Sequence, residues 1–191
     1  MTNIFNDISK VKYLGQNTII GQTVRIRRPE MFMIGRNSII DDFTYISCKL
    51  KVGMFTHIGS GSHIIGGSKA KVTIGNFVNI APGCNIAAGQ NNYSGGGLVG
   101  PAIPEEYGAS SELKPVDIGD HCLLGFNVSI LAGVRLPEGV AVGAYSLLKP
   151  MKYKPWTIYA GIPAKEIGKR NKSLIKRQQN KLLKAIEGGR L

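Results

Sequence analysis

Residues 34–64, IGRNSIIDDFTYISCKLKVGMFTHIGSGSHI, repeat themselves every six positions. Stepping by six from Ile34 gives Ile40, Ile46, Val52, Ile58 and Ile64, all aliphatic. Four residues after each comes Ser38, Thr44, Leu50, Thr56, Ser62 and Ser68, small and polar in every case but Leu50. Glycine follows the aliphatic residue at Gly35, Gly53 and Gly59. A 3.6-residue helix does not have this period, and neither does a strand alternating every two residues between hairpin turns. A short extended segment closed by a sharp corner does, and three such segments make a triangular coil. The aliphatic residue then points inward and the small one fills the narrowing corner. Stacked coils share one continuous aliphatic core.

The same frame runs through most of the chain. Leu14, Ile20 and Ile26 precede a two-residue slip, and Ile74, Ile80 and Ile86 follow a four-residue insertion near KAKV. Ile118, Leu124, Ile130, Leu136, Val142 and Leu148 continue it, with Cys122, Val128, Val134, Val140 and Ser146 at the small position. Gly119, Gly125 and Gly143 take the corners. Between the two runs, residues 87–114 (AAGQNNYSGGGLVGPAIPEEYGASSELK) break the rhythm, and an excursion of that length from so regular a scaffold reads as functional. After Gly168, Ser173, Leu174, Ile175, Leu182, Leu183 and Ile186 fall at helical spacing among Lys, Arg and Gln, which predicts a helix over 170–187. The expected organisation is a lead-in over 1–13, a coil domain over 14–168 with its loop at 87–114, and a basic helix and tail over 169–191.

Composition narrows the function classes. The chain has 191 residues, 25 glycines that suit many tight corners, and a formal charge of +12. That charge suits an anionic ligand; nucleic acid is not expected, because neither aromatic platforms nor a groove-reading helix accompany it. Peripheral membrane contact by the basic helix is conceivable but not expected. No apolar run is long enough to predict a spanning helix, and MTNIFNDISK has neither the basic nor the apolar region of a secretory signal. Cys48, Cys84 and Cys122 have no metal-ligand spacing and read as small buried residues of a reducing compartment, so the expected location is cytoplasmic.

The hexads, together with PWTIYAGIPAKEI at residues 155–167, resemble the hexapeptide-repeat acyltransferases. Residues 115–148, PVDIGDHCLLGFNVSILAGVRLPEGVAVGAYSLL, are similar to the segment after the active-site loop in their sugar O-acetyltransferase branch. The resemblance covers roughly residues 14–168. It implies an all-β, left-handed parallel β-helix with an extended active-site loop and a short C-terminal α-helix. It also implies a homotrimer, acetyl-CoA as co-substrate, no metal, and a cleft in which the loop leans over a neighbouring subunit.

The resemblance also raises a difficulty. Such O-acetyltransferases carry a catalytic histidine at the start of the loop, and here Asn91 stands in its place. A related sub-branch has DDYSG where this chain has NNYSG, residues 91–95. An amide cannot take a proton at useful pH. His63, one coil below the loop, at a position where galactoside acetyltransferases hold an acceptor-binding Asn, becomes the first candidate for general base. His121, expected to face outward after the loop, is the second. Asn85, Asn91, Asn92 and Tyr93 are candidates for binding the acceptor. The resemblance implies a coenzyme path past Gly125, Phe126, Gly143 and Ala144, with Lys149 and Lys165 near its nucleotide.

Sugar O-acetylation in surface-polysaccharide biosynthesis is therefore the first functional expectation. N-acetylation of a nucleotide-linked amino sugar is the second, since a neutral amine is nucleophilic without a protein base. A non-catalytic β-helix used for binding or scaffolding is an alternative of another class. A zinc carbonic anhydrase, which the same scaffold supports with three histidines from two subunits, is disfavoured because His57 and His63 lie one hexad apart and so on different faces.

Overall fold

The structure, a computed structural model, describes residues 7–188. The first six residues of the expected lead-in and the tail after Gly188 lie outside the described residues. The chain forms a left-handed parallel β-helix whose three faces are built in turn by every third strand. The first face stacks Tyr13–Leu14, Phe32–Ile34, Lys49–Val52, Lys71–Ile74, Val116–Ile118 and Arg135–Leu136. The second stacks Ile19–Ile20, Ile39–Ile40, His57–Ile58, Asn79–Ile80, Leu123–Leu124 and Ala141–Val142. An antiparallel hairpin, Thr157–Gly161 with Ala164–Lys169, closes it. The third stacks Arg25–Ile26, Tyr45–Ile46, His63–Ile65, Asn85–Ala87, Ser129–Ile130 and Leu147–Leu148.

Register explains why the hexad is so regular. Ile40 pairs with Ile58, Ile58 with Ile80 and Ile80 with Leu124, so identical positions superimpose coil after coil. Every aliphatic residue of the frame from Ile20 to Leu148 is buried. Each such side chain removed from water contributes about 1.5–3 kcal/mol. Leu14, at the open first coil, is exposed.

The small position has a second job. Ser38 Oγ donates to the Gly53 carbonyl at 2.9 Å and Thr56 Oγ1 to the Gly75 carbonyl at 2.8 Å, one coil above. These bonds satisfy carbonyls that the sharp turn withholds from the strand ladder. Cys84 and Cys122 take the same position and donate to Gly125 O and Pro137 O. Burial pushes the Cys122 thiol up to about 12, so it is an inert filler rather than a nucleophile. Ser68, expected at this position, is instead exposed within the insertion, and Val72, paired with Leu50, is buried in its place. The insertion simply displaces the frame.

The closing helix α1, Lys172–Glu187, begins two residues later than the spacing predicts, because Asn171 caps it by accepting from Leu174 N–H at 3.0 Å. Among the described residues no helix is long and apolar enough to cross a membrane.

Candidate functional site

The 87–114 excursion is not a structureless loop. Gly89–Asn91 and Ser111–Leu113 pair antiparallel, with Asn91 opposite Ser111, and form the stem of an arm. The arm leaves the coil at the edge between the third and first faces. Gly89 leaves room there: a Cβ would meet Leu113 Cδ2 at 2.6 Å and displace that exposed side chain. Beyond the stem, Asn92 Oδ1 accepts from Ser94 N–H at 2.9 Å, an Asx turn, and Tyr93 stands 92% exposed at the tip. Asn92 thus shapes the arm, and Asn91 and Tyr93 are exposed. Between arm and coil lies a cavity of about 810 Å³ that Asn91 and Gln90 line together with Arg27, Lys69 and Glu105. These last three carry no motif in the sequence, because their convergence depends on which edge of the coil each occupies.

His63 and Asn85 are neighbours on the exposed third face, paired in register. They do not line the cavity. Asn85 Nδ2 donates to the Gly83 carbonyl at 3.1 Å.

His121 corrects an expectation. It is 5% exposed rather than outward-facing. The residues at successive corners between the first and second faces stack into a column of Phe55, Phe77, His121 and Trp156, with ring centroids 5.3, 5.1 and 5.8 Å apart. Gly139 lies between the last two, and a Cβ there would overlap the Trp156 indole. Helix α1 covers the column: His121 Nε2 lies 3.0 Å from Gln179 Oε1 and 3.4 Å from Lys176 Nζ, and Lys176 pairs with Glu138. Desolvation lowers the His121 pKa, with Lys176 adding to the effect and Gln179, Glu138 and Asp120 opposing it. The ring is thus buried in the column with its Nε2 held by side chains of α1.

His57 carries geometry that its spacing did not announce. Its Nε2 lies 2.8 Å from Asp41 Oδ2 and its Nδ1 2.9 Å from Asn79 Oδ1, which holds the ring across three coils of the second face. His63 belongs to the third face, so the two histidines do not converge. Among the described residues no group of three or more His, Cys, Asp or Glu gathers as metal ligands.

The proposed coenzyme residues do cluster. Gly125, Phe126, Gly143 and Ala144 lie on the edge between the second and third faces, where Gly125 cannot bear a Cβ because Ala144 N would be 2.6 Å away. Phe126 is exposed beside Tyr145, whose N–H donates to the Phe126 carbonyl. Lys165, in the closing hairpin, pairs with Ala160 directly above Gly143. Lys149 follows Leu148 onto the edge between the third and first faces and stands apart from them.

Comparison with known proteins gives a consistent picture. A dTDP-4-amino-4,6-dideoxy-D-glucose acyltransferase from Escherichia coli is 35% identical over 167 residues, 86% of this chain and 85% of the relative. AntD, an N-acyltransferase from Bacillus cereus solved with dTDP and 3-hydroxybutyryl-CoA, superposes with a TM-score of 0.86 at 30% identity, over 97% of this chain and 100% of its own. A maltose O-acetyltransferase from Clostridium difficile 630 shares the fold alone, with a TM-score of 0.57 at 19% identity over 86% of this chain and 72% of that one. No family model matches the chain. The stacked hexads, the arm and an identity spread over most of both chains converge on one conclusion: this protein is an enzyme of acyl transfer and belongs to the hexapeptide-repeat acyltransferases.

Proposed function

We propose that the protein transfers an acyl group from an acyl-coenzyme A to the amine of a nucleotide-linked amino sugar. The observation that carries this is the 35% identity to the E. coli amino-sugar acyltransferase, which spans nearly the whole of both chains. It favours N-acylation over the sugar O-acetylation that the sequence alone put first. The arm agrees chemically, because Asn91 and Asn92 offer no base and an amine needs none. The neutral nitrogen attacks the thioester carbonyl, a C–N bond forms, and backbone N–H groups of a glycine-rich arm can hold the oxyanion. The C–S bond then breaks, and the thiolate of coenzyme A leaves with the proton that the nitrogen loses.

In this reading Asn85, Asn91, Asn92 and Tyr93 contact the acceptor, Asn92 mainly through the turn it makes. Gly125, Phe126, Gly143 and Ala144 guide the pantetheine, and Lys165 and Lys149 stand near the nucleotide of acetyl-CoA or a larger acyl-CoA. His63 is retained as an acceptor contact or proton relay, whereas the stacking of His121 argues against such a role. The homotrimer that the resemblance implies is supported by the exposed Tyr93, Leu98 and Tyr107 of the arm and Phe126 and Tyr145 of the corner, an apolar surface suited to a neighbouring protomer. Thiol release from acetyl-CoA tests the reading, with dTDP-4-amino-4,6-dideoxyglucose compared against its 4-hydroxy counterpart. The amine should be preferred by at least about 100-fold in kcat/KM; a preference for the hydroxyl would restore O-acylation.

A further inference from the structure

All three departures from the six-residue step fall on one edge of the prism. Ile26 to Ile34, Ile64 to Ile74 and Ile86 to Ile118 each lead from the third face to the first. The inward residues stay in register across each break, Leu14 with Ile34, Val52 with Ile74 and Ile74 with Ile118. The extra residues therefore lie outside the core, stacked above one another, and the cavity sits among them. Arg27 reaches it from the slip, Lys69 from the insertion and the arm from the longest break.

Arg27 and Lys69 make no ion pair and no side-chain hydrogen bond among the described residues. Arg28 donates to the Ser47 carbonyl at 2.8 Å, Lys114 pairs with Glu112 and Arg135 with Asp117, whereas Arg25, Lys49 and Lys71 also have no side-chain partner among the described residues but do not line the cavity. Two uncommitted cations on one partly enclosed space favour an anion carrying more than one charge. The rest of the wall is apolar at Ile65, Leu98, Ile103 and Leu113, which suits a planar base or a deoxy sugar, and Glu105 is the one carboxylate.

We propose that this cavity seats a nucleoside diphosphate, the nucleotide half of the acceptor that stays attached to the sugar during transfer, with Arg27 and Lys69 as its counter-charges. The identity of the whole ligand rests on the N-acyltransferase reading; the charge argument requires only a diphosphate, which coenzyme A also carries. Calorimetry on the full chain, with dTDP and with coenzyme A as separate probes, distinguishes the two sources. The double variant Arg27→Gln/Lys69→Gln replaces exposed side chains and should melt as the wild type does. Its dTDP affinity should fall by about 10- to 100-fold, as expected for lost charge-assisted hydrogen bonds, with a shallower salt dependence and unchanged affinity for coenzyme A. Glu105→Gln should tighten dTDP binding. Wild-type dTDP affinity in the double variant, or a loss confined to coenzyme A, would overturn the proposal. If dTDP binds this way but no acyl group reaches an amino sugar, the site stands and the functional reading fails. If transfer occurs and the double variant keeps its KM for the nucleotide-linked sugar, the reading stands and the site fails.

Discussion

At the residue scale, His121 shows how a histidine expected to face outward is instead built into a buried column of rings. Its backbone is left-handed, φ 60°, as are those of Phe55 and Phe77 at the same corner in lower coils. The corner sets the conformation, and the column then selects a flat ring. His121→Phe should therefore be accommodated, with stability at pH 7.5 within about 1 kcal/mol of wild type. The pH dependence should differ. Burial and Lys176 depress the folded-state pKa, so between that value and the unfolded value of about 6.5 the unfolded chain binds the extra proton. Stability contributed by the neutral ring is thus fully present above pH 6.5 and declines as pH falls through the window below it. Urea melts at pH 7.5 and 5 should show wild type losing more stability than His121→Phe. Equal losses would mean that the ring does not titrate in its column.

At the element scale, the coil strands are legible in sequence and the elements that cover them are not. Six-residue spacing names the inward residues because every strand obeys the same register. The arm's stem escapes such reading: Gly89-Gln90-Asn91 and Ser111-Glu112-Leu113 carry no β-branched or aromatic residue and pair only because the coil beneath fixes their ends. Helix α1 is legible as a helix from its apolar spacing. Its docking site is not, since it covers a corner column that exists only once the coils have stacked. This is also why His121 was expected to face outward. The docking can be measured. Trp156, the only tryptophan of the chain, is buried at the head of the column, with Lys172 Nζ 5.9 Å from its ring centroid. Asn171→Ala removes the cap and should cost about 1 kcal/mol of helix stability. Fraying of the first turn should shift Trp156 emission to the red and speed amide exchange in α1. Unchanged emission and exchange would show that the coil alone holds the helix.

At the scale of the whole molecule, the solenoid separates stability from function by position. Stability resides in the inward ladder, which needs only the six-residue step, and the proposed nucleotide site is built from what is inserted on one edge. The register makes the separation testable. Lys71 pairs with Lys49 and Ala70 lies beside Cys48, so Gly66, Gly67, Ser68 and Lys69 are the residues without counterparts in the coil below. Deleting those four leaves Ile64, Ile65, Ala70, Lys71, Val72, Thr73 and Ile74, a step of six with Val72 at the small position. The shortened protein should fold with a melting temperature within a few degrees of wild type, since no core contact is removed. It should still bind coenzyme A on the edge between the second and third faces and lose most of its affinity for dTDP. Deleting only Ser68 and Lys69 would instead leave a step of eight, as between Ile26 and Ile34, where the Pro29–Met31 turn absorbs the surplus residues. Without such a turn sequence the two residues left over must bulge outward, so this variant should fold yet bind dTDP weakly. A four-residue deletion that unfolds the chain would show that the insertion supports the ladder, and that the division between core and edge is not as the register draws it.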